Sequence, residues 1–180
     1  MRGHVVLGLP DASLADAGPI VVYLDGVDAP LAFAPPREEP AVHQRDARFA
    51  PGFLAIAAGT NVQMPNDDAI YHNVFSYSRP NDFDLGLYPA GQSRSVRFEH
   101  PGVVRMYCSI HESMNGTLYV APSPWFAVAG PGGTFDIPGI PPGRYKLKTW
   151  CEKLPATERE IEIRPGELLA LDLALVLASP

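Results

Sequence analysis

Cys108, His111 and Met114 recur at every third position in Tyr107-Cys108-Ser109-Ile110-His111-Glu112-Ser113-Met114-Asn115-Gly116. Upstream, His72 stands in Tyr71-His72-Asn73-Val74-Phe75. One thiolate, two imidazoles and one thioether are the donor set of a copper site built for electron transfer. Soft sulfur favours Cu(I), imidazole serves either oxidation state, and a trigonal plane of two His and one Cys with a weak axial Met is the compromise. The metal itself keeps such a thiol deprotonated. Zinc also takes Cys and His, but Met is a poor zinc ligand. A lone Cys, His or Met usually packs in a core; it is the combination and its spacing that point to copper.

The two-residue gaps suit a tight loop at a strand end, folding His111 and Met114 back toward Cys108. Asn115-Gly116 then turns the chain into an exit strand. His72 must arrive from a neighbouring strand. Asn73 and Ser109 each follow a ligand, so their side chains are candidates to tie the two ligand segments together and to hydrogen-bond near the sulfur.

The surrounding elements read as strands. Val5-Val6-Leu7 and Ile20 to Leu24 open the chain, and the segment from Ala29 to Asp46, rich in Pro and charge, reads as a linker or crossover. Strands are expected at Phe53 to Ile56, Asn61 to Met64, His72 to Ser76, Ser93 to Phe98, Val103 to Tyr107 and Thr117 to Val120. Pro65-Asn66-Asp67-Asp68 is a turn signal, and Asn81 to Gln92 reads as a long loop. After the boundary Ala121-Pro122-Ser123-Pro124, strands are expected at Trp125 to Val128, Thr134 to Ile137, Arg144 to Trp150 and Glu160 to Ile163. In Leu168 to Leu177 five leucines at alternate positions share one face of a strand, whereas a helix would scatter them. No amphipathic helix of three turns stands out, and the fold class is all-β.

Composition agrees. The 180 residues suffice for one ordinary domain or two small ones, and a hydrophobic content of 46% supports a packed core. With 16 Gly and 20 Pro spread along the chain, short strands are favoured over long helices. The net charge of −6 and the absence of a Lys/Arg cluster exclude a nucleic-acid binder. No run approaches a transmembrane helix, and Met1 to Pro10 is too weakly apolar for a signal peptide, so the chain reads either as cytosolic or as one whose leader has been removed. Two cysteines make no disulfide framework.

The stretch from about Phe49 to Val120 resembles the cupredoxin family. The Cys108-x-x-His111-x-x-Met114 loop is of the short, amicyanin-like kind, and His72-Asn73-Val74 is similar to the segment carrying the first histidine ligand. Met64-Pro65-Asn66-Asp67-Asp68, Phe83-Asp84-Leu85-Gly86 and Pro101-Gly102-Val103-Val104 resemble bacterial plastocyanin-like or methylamine-utilisation-type proteins. The resemblance implies a Greek-key β-sandwich over residues 45–121 and one type 1 copper ion per chain held by His72, Cys108, His111 and Met114. It also implies redox partner proteins docking near His111 and a periplasmic location. The flanks, through Gly133-Thr134-Phe135-Asp136-Ile137 and Pro141-Pro142-Gly143-Arg144-Tyr145, resemble the carboxypeptidase regulatory-like, transthyretin-type sandwich. That implies a discontinuous second domain, 1–30 with 122–180, joined through a linker at 31–44. Two sequential modules or one enlarged sandwich are the simpler arrangements.

Where such sequences often carry Trp-His, this chain has Trp150-Cys151. The second thiol is open to three readings: buried, bridged to another chain, or part of a second metal site with His43 or Glu152. His4, His43 and His100 have no ligand spacing. Leu85, Leu87, Tyr88 and Pro89 are either a docking surface near the copper or plain packing.

Three functions compete: an electron carrier, a copper-delivery protein, and a metal-free binding module using Trp125, Phe126, Tyr145 and Trp150. Delivery normally needs a Met/His-rich open site, and the chain has four Met with no such cluster. A multicopper oxidase or nitrite reductase needs more histidines than the five present, so the chain reads as a non-enzyme.

Overall fold

The computed structural model describes residues 1–8, 13–26 and 39–175. The chain divides into two compact units, 1–30 with 125–180 and 31–124. In the first unit, β1 (Arg2–Leu7) leads to a single-turn helix, α1 (Leu14–Ala17), capped by Ser13 and Asp16, and then to β2 (Ile20–Asp25). The second unit holds β3 (His43–Arg45), β4 (Arg48–Ala50), β5 (Phe53–Ala57), β6 (Thr60–Pro65), β7 (His72–Ser76), β8 (Phe83–Tyr88), β9 (Ser93–Phe98), β10 (Gly102–Tyr107) and β11 (Asn115–Ala121). The chain then returns to the first unit with β12 (Phe126–Val128), β13 (Thr134–Asp136), β14 (Gly143–Cys151), β15 (Glu158–Ile163) and β16 (Ala170–Leu175). The all-β expectation holds.

The first unit has a three-stranded sheet, β13-β1-β16, and a four-stranded sheet, β12-β2-β14-β15. Strand parity decides what is inside. Along β14, Tyr145, Leu147, Thr149 and Cys151 are buried while Arg144 and Lys146 face water. In β16 the leucine stripe turns Leu173 and Leu175 inward; Leu177 lies outside the described residues. Trp125 and Tyr145 are core, with ring centroids 6.3 Å apart and the indole N–H donating to the Gly139 carbonyl. Of the four aromatics offered as a binding face, these two are therefore packing residues.

The second unit is a sandwich with Greek-key strand order. One sheet runs β5-β11-β10-β7-β8, with β5 parallel to β11 and the other neighbours antiparallel. Opposite it lie the β6-β9 and β3-β4 pairs, linked by parallel bridges from Ala41 to Gln63 and from Gln44 to Asn66. Val62, Met64, Val74, Phe98, Val104, Met106, Leu118 and Val120 fill the core. The order sets β7 beside β10, so the strand beginning at His72 adjoins the one ending just before Cys108.

Two expectations fail. Asn81 to Gln92 is not a loop throughout: β8 pairs with β7, and a register shift between Asn73 and Phe75 obscures its alternation. Of the segment expected as a linker at 31–44, residues 39–44 are described and are bonded into the second unit. From Glu39 onward the chain is bonded to β6, Val42 lies in the core, and His43 and Gln44 belong to β3. Pro40 lies three residues before the start of β3 at His43; residues 31–38 lie outside the described set.

Candidate metal centre

The β10–β11 hairpin makes the ligand loop. Its ladder closes at the Tyr107–Asn115 pair, leaving 108–114 to fold over the end of the sheet. Met114 donates its N–H to the His111 carbonyl at 3.0 Å and accepts from the Cys108 N–H at 3.2 Å, which cinches the loop. These bonds place Cys108 and Met114 in the same buried core cluster while His111 stays half-buried.

His72 begins β7, fully buried, opposite Tyr88 of β8. Its Nδ1 lies 3.8 Å from Cys108 Sγ, and His111 Nδ1 lies 4.0 Å from the same sulfur. The three donor atoms all fall within 4.8 Å of one another. The other imidazole nitrogen of His72, Nε2, is 2.7 Å from Asp68 Oδ2. An ionised carboxylate only accepts, so the proton belongs on Nε2 and the Nδ1 lone pair faces the sulfur. This donor set fits copper: one soft sulfur and two imidazole nitrogens lie within 4.8 Å of one another, with a buried thioether in the same loop.

Asn73 and Ser109 join the two ligand segments. Asn73 Oδ1 accepts from the Ser109 N–H at 2.8 Å and from its hydroxyl at 2.9 Å. Cys108 is thereby tied to the strand carrying His72.

Behind the site lies a polar group that the hydrophobic pattern did not disclose. Tyr88 donates its hydroxyl to the Met64 carbonyl at 2.7 Å, and the Gln44 amide bonds both that hydroxyl and the same carbonyl. Burial pushes the Tyr88 phenol up to about 12, against the opposing pull of the Gln44 bond, so it remains a neutral donor. Asp68, which the sequence marks as part of a turn and of a segment resembling plastocyanin-like proteins but not as a contact of the site, is the second such group. Burial works against its charge, but the Ala47 amide, the His72 ring and the Asp46 amide outweigh it and hold the carboxyl below the usual range. The available signal was a carboxylate four residues ahead of a candidate ligand.

The remaining candidates lie elsewhere. His43 bonds Asp67 at 2.8 Å and is partly exposed. Cys151 is buried in the first unit, its thiol donating to the Ala17 carbonyl at 3.2 Å. Among the described residues, neither it nor His43 joins the metal-ligating cluster. Tyr88 is core and Leu85 packs against the core, whereas Leu87 is exposed.

No family model and no curated protein matches the chain. Among solved structures it is similar to a purple cupredoxin from Nitrosopumilus maritimus, at 26% identity over 46% of this chain and 99% of that one, with a TM-score of 0.42. It is similar to amicyanin from Paracoccus versutus at 20% identity, covering 47% of this chain and 83% of that one, with a TM-score of 0.42. A copper-containing nitrite reductase from Thermus scotoductus is 25% identical over 67% of this chain and 28% of that one, with a TM-score of 0.46.

Proposed function

We propose that the 31–124 unit binds one copper ion through His72, Cys108, His111 and Met114 and carries single electrons between redox proteins. The observation that carries this reading is the convergence of the Cys108 thiol with the Nδ1 atoms of His72 and His111 within 4.8 Å. Bound there, copper would supply the Cu(I)/Cu(II) couple. Cys108 serves as the anionic donor and the strongest electronic link to the protein. His72, buried and hydrogen-bonded, is the fixed ligand. His111, half-buried, is the ligand that reaches toward solvent and hence toward a partner. Met114 provides the soft, weak fourth donor.

The same reading puts the working protein in the periplasm or another extracytoplasmic compartment. It also treats the copper module as an insertion into a discontinuous flanking sandwich, whose own chemistry is separate from the copper site.

Titration of the metal-free protein with Cu(II), followed by absorption and paramagnetic resonance, tests the assignment. An intense visible thiolate band should saturate at one equivalent; a protein that stays colourless overturns it. Copper exchange to an acceptor separates carriage from delivery, since a carrier retains its ion through repeated redox cycles. Met114→Gln should keep the band and lower the reduction potential, because a harder oxygen donor favours Cu(II). An unchanged potential would remove Met114 from the ligand set.

A further inference from the structure

Asp68 sits where a turn, a carboxylate and a ligand meet. Its Oδ2 lies 2.7 Å from His72 Nε2 and accepts from the Ala47 N–H at 2.9 Å, while Oδ1 accepts from the Asp46 N–H at 2.7 Å. Asp46 and Ala47 are the two central residues of the β3–β4 turn, both left-handed at φ 55° and 50°. Such a type I′ turn points successive amides at one anion. Asp68 is held from its own side too, its N–H donating to Asn66 Oδ1 at 3.0 Å. The carboxylate is therefore fixed before any metal arrives, and it is mostly shielded from water.

A carboxylate that accepts from a ligating imidazole fixes the tautomer and raises the basicity of the donor nitrogen. A more basic donor, backed by a negative charge, stabilises the more highly charged metal ion. Resting on the copper reading above, we propose that Asp68 is a positioning residue: it locks His72 with Nδ1 free for the metal and biases the site toward Cu(II), lowering its reduction potential. A role confined to anchoring the β3–β4 turn would leave both properties unchanged.

Two measurements decide this. In the metal-free wild-type protein above neutral pH, nitrogen NMR should place the His72 proton on Nε2; a proton on Nδ1 overturns the positioning role, with no copper involved. In copper-loaded Asp68→Asn, the ratio of Cu(I) to Cu(II) affinity should rise at least tenfold, which is about 59 mV for one electron. An unchanged potential overturns the tuning. Should Asp68→Asn fail to fold, the wild-type tautomer still decides the positioning, and Asp68→Glu, which retains the charge, should hold its potential closer to wild type than a neutral variant would. A wild-type protein that stays colourless with Cu(II) defeats the copper reading itself, and that result is distinct from the tautomer.

Discussion

Cys108→Ser should abolish the intense visible absorption expected of the copper-loaded protein, while Cys151→Ser should leave it intact. The serine hydroxyl is nearly isosteric with the thiol but is a hard donor that stays protonated at neutral pH, so the covalent sulfur contribution disappears. On the proposed ligand set His72 and His111 remain as nitrogen donors, and Cu(II) held by them should give only a weak spectrum. Affinity for Cu(I) should fall more than affinity for Cu(II), because the soft ligand is the one removed. Cys151 is the internal control: it is the other cysteine of the chain, it is buried too, and its thiol is bonded to the Ala17 carbonyl of the first unit. Absorption and paramagnetic resonance on both variants check the assignment. Survival of the band in Cys108→Ser with its loss in Cys151→Ser would move the copper to the wrong unit for the proposal.

Period-2 patterning and ligand spacing made much of this protein legible. The alternation along Arg144 to Trp150 carries on to Cys151 and puts it on the inward face with Tyr145, Leu147 and Thr149. The Cys108 loop was readable because strand and ligands are contiguous, although Asn115-Gly116, expected as a turn, is the paired start of β11. What escaped was long-range and polar. β3 was hidden because Gln44 occupies a buried position that a pattern of apolar residues cannot mark; its Nε2 donates to Tyr88 and Met64, distant in sequence. β8 was hidden by the register shift opposite the strand that begins at His72. The Asp68 contact depends on the β3–β4 turn, which lacks the Asn-Gly or Asp-Gly signature of its type and shows itself only by its left-handed backbone. For Gln44 and for the turn that holds Asp68 the missing information was a partner far away in the chain; for β8 it was a local irregularity against its neighbouring strand.

Asn66→Ala should be the most damaging substitution outside the ligands and the apolar core, lowering the stability of the 31–124 unit by about 3 kcal/mol. Asn66 is fully buried and uses its whole amide: Nδ2 donates to the carbonyls of Ile70 at 2.8 Å and Tyr88 at 3.1 Å, and Oδ1 accepts from the Asp68 N–H. Its backbone adds two further bonds, to Gln92 and from Gly91. Alanine removes the partner of the buried Tyr88 carbonyl and of the part-buried Ile70 carbonyl and Asp68 amide, and a single unsatisfied buried group costs about 1–3 kcal/mol. Both tryptophans belong to the first unit, so indole fluorescence cannot report this loss. Amide exchange of β7 and β10 can, because their protection follows the opening of the strands that meet at the site. Protection lowered by less than about 1 kcal/mol would show that the loop is held by its backbone bonds alone. The expected loss has a functional side as well. Asn66 fixes the amide of Asp68 and the carbonyl of Tyr88, the two residues that bracket His72, one at its ring nitrogen and one across the strand. A variant that still folds should therefore hold His72 less rigidly, and its Cu(II) resonance should broaden even though every proposed ligand is still present.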